Sequence, residues 1–201
     1  MKVYSYVLDH DFGFAPNPFF GVCTLATCKP KIRDRATRGD WIVGTGCAKR
    51  KRRGKLVYYM RVGDVITYDQ YWNDPRFRSK RPRLNGNKMQ AFGDNIYRRS
   101  PTGEWLQENS FHSLPHGPNP LNVNHDTGSE RVLIGSEFAY WGGSGPTIPQ
   151  EFRDWNGDDI CAGRFHRVNF AEGLAEAFLE WARSQGQRGQ IGTPADWPRS
   201  G

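Results

Sequence analysis

The chain has 201 residues, of which 37% are hydrophobic and 24% charged, with a formal net charge of +7. That balance describes a globular chain long enough to bury one substantial core, and it argues against a disordered one. No apolar run reaches the roughly 18 residues of a membrane span, and the N-terminus lacks the apolar core of a signal peptide. The four cysteines, without an export signal, are expected to be reduced in a cytoplasmic protein.

The positive charge is concentrated. Lys49, Arg50, Lys51, Arg52, Arg53 and Lys55 form one run, and Arg76, Arg78, Lys80, Arg81 and Arg83 a second. Without those 11 residues the chain has 17 basic against 21 acidic side chains, a net of −4. Two same-sign clusters on an otherwise acidic chain are the footprint of phosphate contact. The alternative is a pair of solvated loops that keep the protein soluble.

In chain order, Val3, Tyr4, Tyr6 and Val7 predict a first β-strand. Residues 9–33 follow, and Gly13, Pro16 and Pro18 make this stretch a rigid, turn-rich loop. After a turn at Arg38-Gly39-Asp40, Trp41–Gly46 reads as a short buried strand. The first basic run is then a long exposed turn into a second strand, Leu56–Val62, which continues past Gly63-Asp64 through residues 65–68. Asp69 is a fitting N-cap for a short helical turn that Pro75 ends. Residues 82–124 are irregular, apart from a hairpin pairing 95–99 with 104–107 about Ser-Pro-Thr-Gly. An irregular stretch of that length usually carries function.

Further strands are predicted at Arg131–Gly135 and 138–141, before a break at residues 142–146. An amphipathic helix runs from near Phe170 to Ser184, with Leu174, Ala177, Phe178 and Trp181 on one face and Asn169 as N-cap. Residues 1–186 thus form one domain, and 187–201 read as a flexible tail. The fold class is α+β, with a small curled β-sheet or PUA-like barrel core and that C-terminal helix. The barrel expectation rests on residues 39–72, where Gly-Asp-Trp-Ile-Val-Gly-Thr-Gly, a basic turn and a strand into Asp-Val-Ile-Thr-Tyr resemble PUA-like domains. That superfamily includes the ASCH and EVE modules, which implies a non-catalytic reader of modified bases as one alternative.

The chemistry is narrowed by what is missing. Gly44-Thr45-Gly46 lacks the third glycine of a dinucleotide loop, and no Gly-Lys-Ser/Thr phosphate loop exists. Cys23 and Cys28 have no matching second pair, so no metal is expected, and the sequence leaves the cofactor unknown. His10, Asp11, His112 and His125 are the acid/base candidates. Cys28, beside Lys29 and near Arg33, is a nucleophile candidate because nearby positive charge favours a thiolate. Asn17, Thr24, Thr27, Lys29, Arg33, Asp94 and Asn95 offer hydrogen bonds to a base edge, and Trp72 a stacking face. The phosphate candidates are Lys49, Arg50, Lys51, Arg52, Arg53, Arg76, Arg78 and Lys80.

Several of these segments together resemble a known family. Phe14-Ala15-Pro16-Asn17-Pro18-Phe19-Phe20-Gly21, Cys23-Thr24-Leu25-Ala26-Thr27-Cys28-Lys29-Pro30, Tyr71-Trp72-Asn73-Asp74-Pro75-Arg76-Phe77 and Gly93-Asp94-Asn95-Ile96-Tyr97 are similar to the second nucleotide modification associated domain family. His112-Ser113 and Asn124-His125-Asp126 fit as well, and the likeness runs over residues 1–182. It implies a setting in DNA base hypermodification and conflict between phage and host, with DNA or a free nucleotide as partner. It implies no particular reaction. An enzyme acting on free nucleotides in anti-phage defence is the further alternative.

Overall fold

The computed structural model describes residues 1–163 and 165–197. The end of the expected tail, residues 198–201, lies outside the described residues, as does Arg164. The fold is mixed α/β and is built on three small sheets, none of them closed into a barrel. The PUA-like barrel expectation is therefore corrected to open sheets packed in layers.

The largest sheet has six strands. Their order is β10 (His166–Arg167), β1 (Val3–Leu8), β3 (Trp41–Gly46), β4 (Leu56–Arg61), β9 (Phe138–Tyr140) and β11 (Gly189–Gln190). β1 and β3 are parallel, with Val3 opposite Trp41 and Leu8 opposite Gly46. β3 and β4 are antiparallel across the basic turn. A second sheet has the order β2 (Cys23–Leu25), β8 (Arg131–Gly135), β5 (Asp64–Thr67), and β6 (Tyr97–Arg99) pairs with β7 (Trp105–Gln107) in a hairpin.

Residues 64–67 do not extend the preceding strand as expected. The Gly63 N–H donates to the Ile134 carbonyl, and the chain leaves the first sheet there to pair with β8 in the second. Every residue of β3 is buried because both faces of the large sheet are covered. One face packs Tyr6, Ile42, Tyr58 and Met60 against Cys23, Leu25 and Leu133 of the second sheet. The other packs Trp41, Val43 and Tyr59 against Ile148, Phe152 and helix α5 (Leu174–Ser184). Tyr58 and Tyr59 are consequently both core residues. The inner layer is tight at Gly44, where a Cβ would lie 2.3 Å from the Tyr58 ring and 2.4 Å from Leu8.

α5 starts four residues later than the pattern predicts, capped by Gly173 in a left-handed conformation rather than by Asn169. The short helix α2 (Tyr68–Asn73) is capped by Thr67, whose hydroxyl accepts from the Gln70 N–H at 3.2 Å. Asp69, the expected cap, accepts from the Arg99 N–H at 2.7 Å. Three more short helices have no counterpart among the predicted elements: α1 (Pro30–Arg35), α3 (Lys88–Ala91) and α4 (Pro120–Asp126). Among the described residues, no helix is long and apolar enough to cross a membrane. Residues 187–197 run along the fold. β11 pairs with β9, Asp196 accepts from the Asp11 N–H at 2.7 Å, and the Trp197 indole donates to the Phe12 carbonyl at 2.7 Å.

A candidate active site of cysteine, histidine and aspartate

Three segments far apart in sequence meet at one point. Cys28 lies in the turn between β2 and α1. Cys28 and Lys29 both have positive φ, 54° and 45°, a conformation that costs non-glycine residues of order 1–3 kcal/mol each. His112 lies in the loop after β7, and Asp126 ends α4. The His112 Nε2 is 3.8 Å from the Cys28 sulfur, and its Nδ1 is 2.8 Å from Asp126 Oδ2. The other oxygen, Oδ1, accepts from the Cys28 N–H at 2.8 Å. The carboxylate thus orients the ring with one oxygen and the sulfur-bearing turn with the other.

A second layer holds these three in place. Asp126 is fully buried, and the Tyr97 hydroxyl donates to its Oδ2 at 2.9 Å. Gln107 donates to that hydroxyl at 3.0 Å, and Asn122 donates to the His112 carbonyl at 2.8 Å. The guanidinium of Arg33 is fully buried and donates to the carbonyls of Cys28 (2.9 Å), Ser129 (2.7 Å), Arg131 (2.7 Å) and Asp126. One cation therefore ties the Cys28 turn to the end of α4.

Burial disfavours the charged form of His112, but its hydrogen bonds to Asp126 and Cys28 outweigh this and raise its pKa to about 9. The ring is accordingly a cation at neutral pH, with one N–H on the carboxylate and the other facing sulfur. Sulfur, imidazole and a base-orienting carboxylate in this order form the constellation of nucleophilic catalysis. One ligand atom from each of the three also lies within 4.8 Å of the others, a spacing that fits a thiophilic divalent cation.

The three residues stand beside a cavity of about 830 Å³, lined by Cys28 and His112. Its walls are aromatic. The Phe14 ring lies 4.6 Å from His112, Phe111 stacks on His112 at 6.1 Å, and Phe12 meets Phe111 at 4.7 Å. Phe165, 84% exposed, and Tyr6 also line the cavity. The lining carries Lys29, Lys31, His10, His125 and His166 as well. Arg50 of the first basic run donates to His10 Nδ1 at 2.9 Å, which brings that run to the cavity edge.

Comparison with known proteins gives the setting. The family model of nucleotide modification associated domain 2, Nmad2, matches residues 1–201. The chain belongs to the Nmad2 family. No curated protein and no solved structure matches it. Membership links this chain to nucleotide modification.

Within this Nmad2 chain, the residues singled out from sequence divide into those at the cavity and those away from it. Cys28, His112, His10, His125 and Lys29 line it, and Lys29 also places its ammonium 4.8 Å over the Tyr6 ring. Asp11 does not join them. It is buried, bonded by the Tyr140 hydroxyl and by the Ala195 N–H at 3.0 Å, and burial pushes its carboxyl up.

Asn17, Thr24, Asp94 and Asn95, expected on a base edge, are wholly buried. Thr24 and Tyr71 donate to Asp94 at 2.6 and 2.7 Å, and Asn95 donates to the Tyr71 carbonyl at 2.9 Å. Lys80, expected on phosphate, is buried among them and donates to Asn17 Oδ1 at 2.7 Å. Burial lowers its pKa to about 8. Thr27 is buried too, and Arg33 is the clamp described above. The Trp72 ring is covered by the guanidiniums of Arg81 and Arg98, at 3.8 and 4.2 Å.

Of the phosphate candidates, Lys49, Arg50, Lys51, Arg53, Arg76 and Arg78 are exposed. Arg52 pairs with Asp196 at 2.9 Å, and Arg76 with Asp74 at 2.6 Å. Sequence reasoning misses Asp126, Tyr97, Phe12, Phe14, Phe111 and Phe165 as site residues. The Asn119-Pro120 pair is a readable signal for α4, as an N-cap followed by proline at the first helical position. With α4 recognised, Asp126 falls at its end.

Proposed function

We propose that this chain acts on the base of a nucleotide in DNA base modification, with the base in the aromatic cavity and phosphate on the exposed cations of the first basic run. The observation that carries this reading is the cavity itself. It is apolar and ring-lined inside and bordered by lysine, arginine and histidine, and it holds a cysteine and a charged histidine at one wall. A flat ring bearing a phosphate matches that distribution, because base stacking on exposed aromatics contributes about 1–3 kcal/mol per base. Family membership supports the same setting. The second basic run contributes less to the grip, since Lys80 is buried, Arg81 covers the Trp72 ring and the exposed Arg76 is paired with Asp74.

The test is binding of labelled single-stranded DNA, double-stranded DNA and nucleoside monophosphates across a salt series. It compares the protein with a variant carrying Gln at Lys49, Arg50, Lys51 and Arg53, and with Phe111→Ala. The expected result is a salt slope for DNA that falls by about 3–4 in the Gln variant, close to one for each phosphate no longer neutralised. Phe111→Ala weakens both DNA and mononucleotide binding. A steep slope places the substrate in a polymer, and mononucleotide binding without one places it in free nucleotides. Binding to neither at low salt would sink the reading.

A further inference from the structure

Resting on that reading of the cavity, we propose that Cys28 is a covalent nucleophile for acyl groups, and that the substrate carries an ester, thioester or amide carbonyl on or beside its base. Three observations converge on it. First, the sulfur, the His112 ring and Asp126 form a relay that can deliver a proton to a poor leaving group, which acyl transfer to and from amines requires. Second, Cys28 sits in a tight strand–turn–helix, from β2 into α1, with a left-handed backbone that lifts the side chain into the cavity wall. Nucleophiles of acyl-transfer enzymes are presented on turns of this kind.

Third, the Cys28 N–H is taken by Asp126, whereas the N–H of the next residue, Lys29, has no hydrogen-bond partner among the described residues. The amide after the nucleophile is the donor such turns supply to a developing oxyanion. Thiol–disulfide chemistry within the chain does not fit the lining, because Cys23 is in the core and neither Cys47 nor Cys161 reaches the cavity.

The reaction has two halves. The Cys28 thiolate attacks the carbonyl carbon, a C–S bond forms, and the carbonyl electron pair moves to oxygen beside the Lys29 N–H. Collapse breaks the bond to the leaving nitrogen, oxygen or sulfur, which takes the proton from His112 Nε2. This leaves a thioester on Cys28 and a neutral ring. Water or an amine then attacks the thioester and gives its proton to Nε2. The C–S pair returns to sulfur, releasing an acid or a new amide and leaving sulfur and ring as they began.

The experiment uses p-nitrophenyl acetate as acyl donor, with absorbance for p-nitrophenolate and intact and peptide mass for the acetyl group. The expected result is a burst of about one equivalent per chain with acetyl on Cys28. Cys28→Ala and Cys28→Ser abolish acetylation at that position, and His112→Gln slows it by about 100-fold or more. Three results would each overturn the proposal. One is acetylation at the same rate in His112→Gln. Another is no acetyl on Cys28 while iodoacetamide still alkylates it. The third is an adduct with 5-fluoro-2′-deoxyuridine monophosphate but none with the ester, which would make the chemistry conjugate addition to a pyrimidine.

Stoichiometric zinc that resists dialysis and is lost in Cys28→Ala would also overturn it, in favour of a metal centre. Nucleoside monophosphate binding, followed by tryptophan fluorescence on Cys28→Ala, separates the two readings. Nucleotide affinity without acyl transfer in the native protein removes this inference alone. Acyl transfer without nucleotide affinity removes the base assignment and leaves the nucleophile.

Discussion

Asp126→Asn preserves the shape of the side chain at the centre of the site and removes its charge. His112 stands at about 9 against an ordinary 6.5. That difference corresponds to about 3 kcal/mol, or roughly 300-fold in ring protonation at a pH between the two values. Burial works against the rise, and Asp126 is its leading cause, so loss of the carboxylate returns the ring toward 6.5. The imidazolium beside the sulfur is then less populated at pH 7.5. The assay is the pseudo-first-order alkylation of Cys28 by iodoacetamide, followed by peptide mass from pH 5 to 10. The rate at pH 7.5 should fall by about one to two orders of magnitude. A profile of the Asp126→Asn variant that superimposes on the native one would refute the coupling. A melt controls for folding, since disturbing the bonds from Tyr97 and Cys28 costs about 1–3 kcal/mol.

Native His112 keeps its proton up to about 9, whereas the unfolded ring loses it near 6.5, so between these values stability falls as pH rises. Lys80, lowered from 10.5 to about 8, acts in the opposite sense above 8, which leaves pH 6.5–8 as the clean window. Urea melts should lose at most about 2 kcal/mol across that window, and His112→Gln should flatten the loss. An equal slope in both proteins would contradict the assignment. Lys80→Met strands three acceptors, on Asn17 and Val22, and leaves Asp94 without its cation, so thermal unfolding should show about 3–5 kcal/mol of destabilisation. Gly44→Ala drives a methyl to 2.3 Å from the Tyr58 ring and should cost about 1–3 kcal/mol; a melting temperature within error of the native one would show that the two layers yield there.

The parts of the fold legible in the sequence are those set by local pattern. The strands at 3–8, 41–46 and 131–135 follow from β-branched and aromatic runs, and the hairpin of β6 and β7 from its turn. Which sheet a strand joins is a long-range matter, so local pattern assigns residues 64–67 to the wrong neighbour. Either tyrosine of the pair 58 and 59 is a candidate for the interior, but only layers on both faces of the sheet explain why both are there.

At the site, Cys28 and His112 are legible as chemistry-bearing residues in loops, but their partner is not. Asp126 follows His125 directly, and adjacent side chains diverge; it is α4 that turns Asp126 inward and leaves His125 exposed. The polar residues around Gly93-Asp94-Asn95 resemble base-recognition groups in composition. Their hydrogen bonds close on Thr24, Tyr71 and neighbouring carbonyls instead, which no spacing in the chain reveals.

The bond from Trp197 to the Phe12 carbonyl, with that of Asp11 to Asp196, joins residues 185 positions apart. Phe12 is a wall of the cavity, so that wall is braced by residues the ribosome adds long after it has made the wall itself. A nascent chain stalled after α5 has already made Cys28, His112 and Asp126, yet it lacks the indole that holds Phe12 in place. Order of synthesis therefore leaves that wall unbraced in a partly made chain, and translation arrest at that point would yield Cys28 beside a cavity that lacks one of its supports.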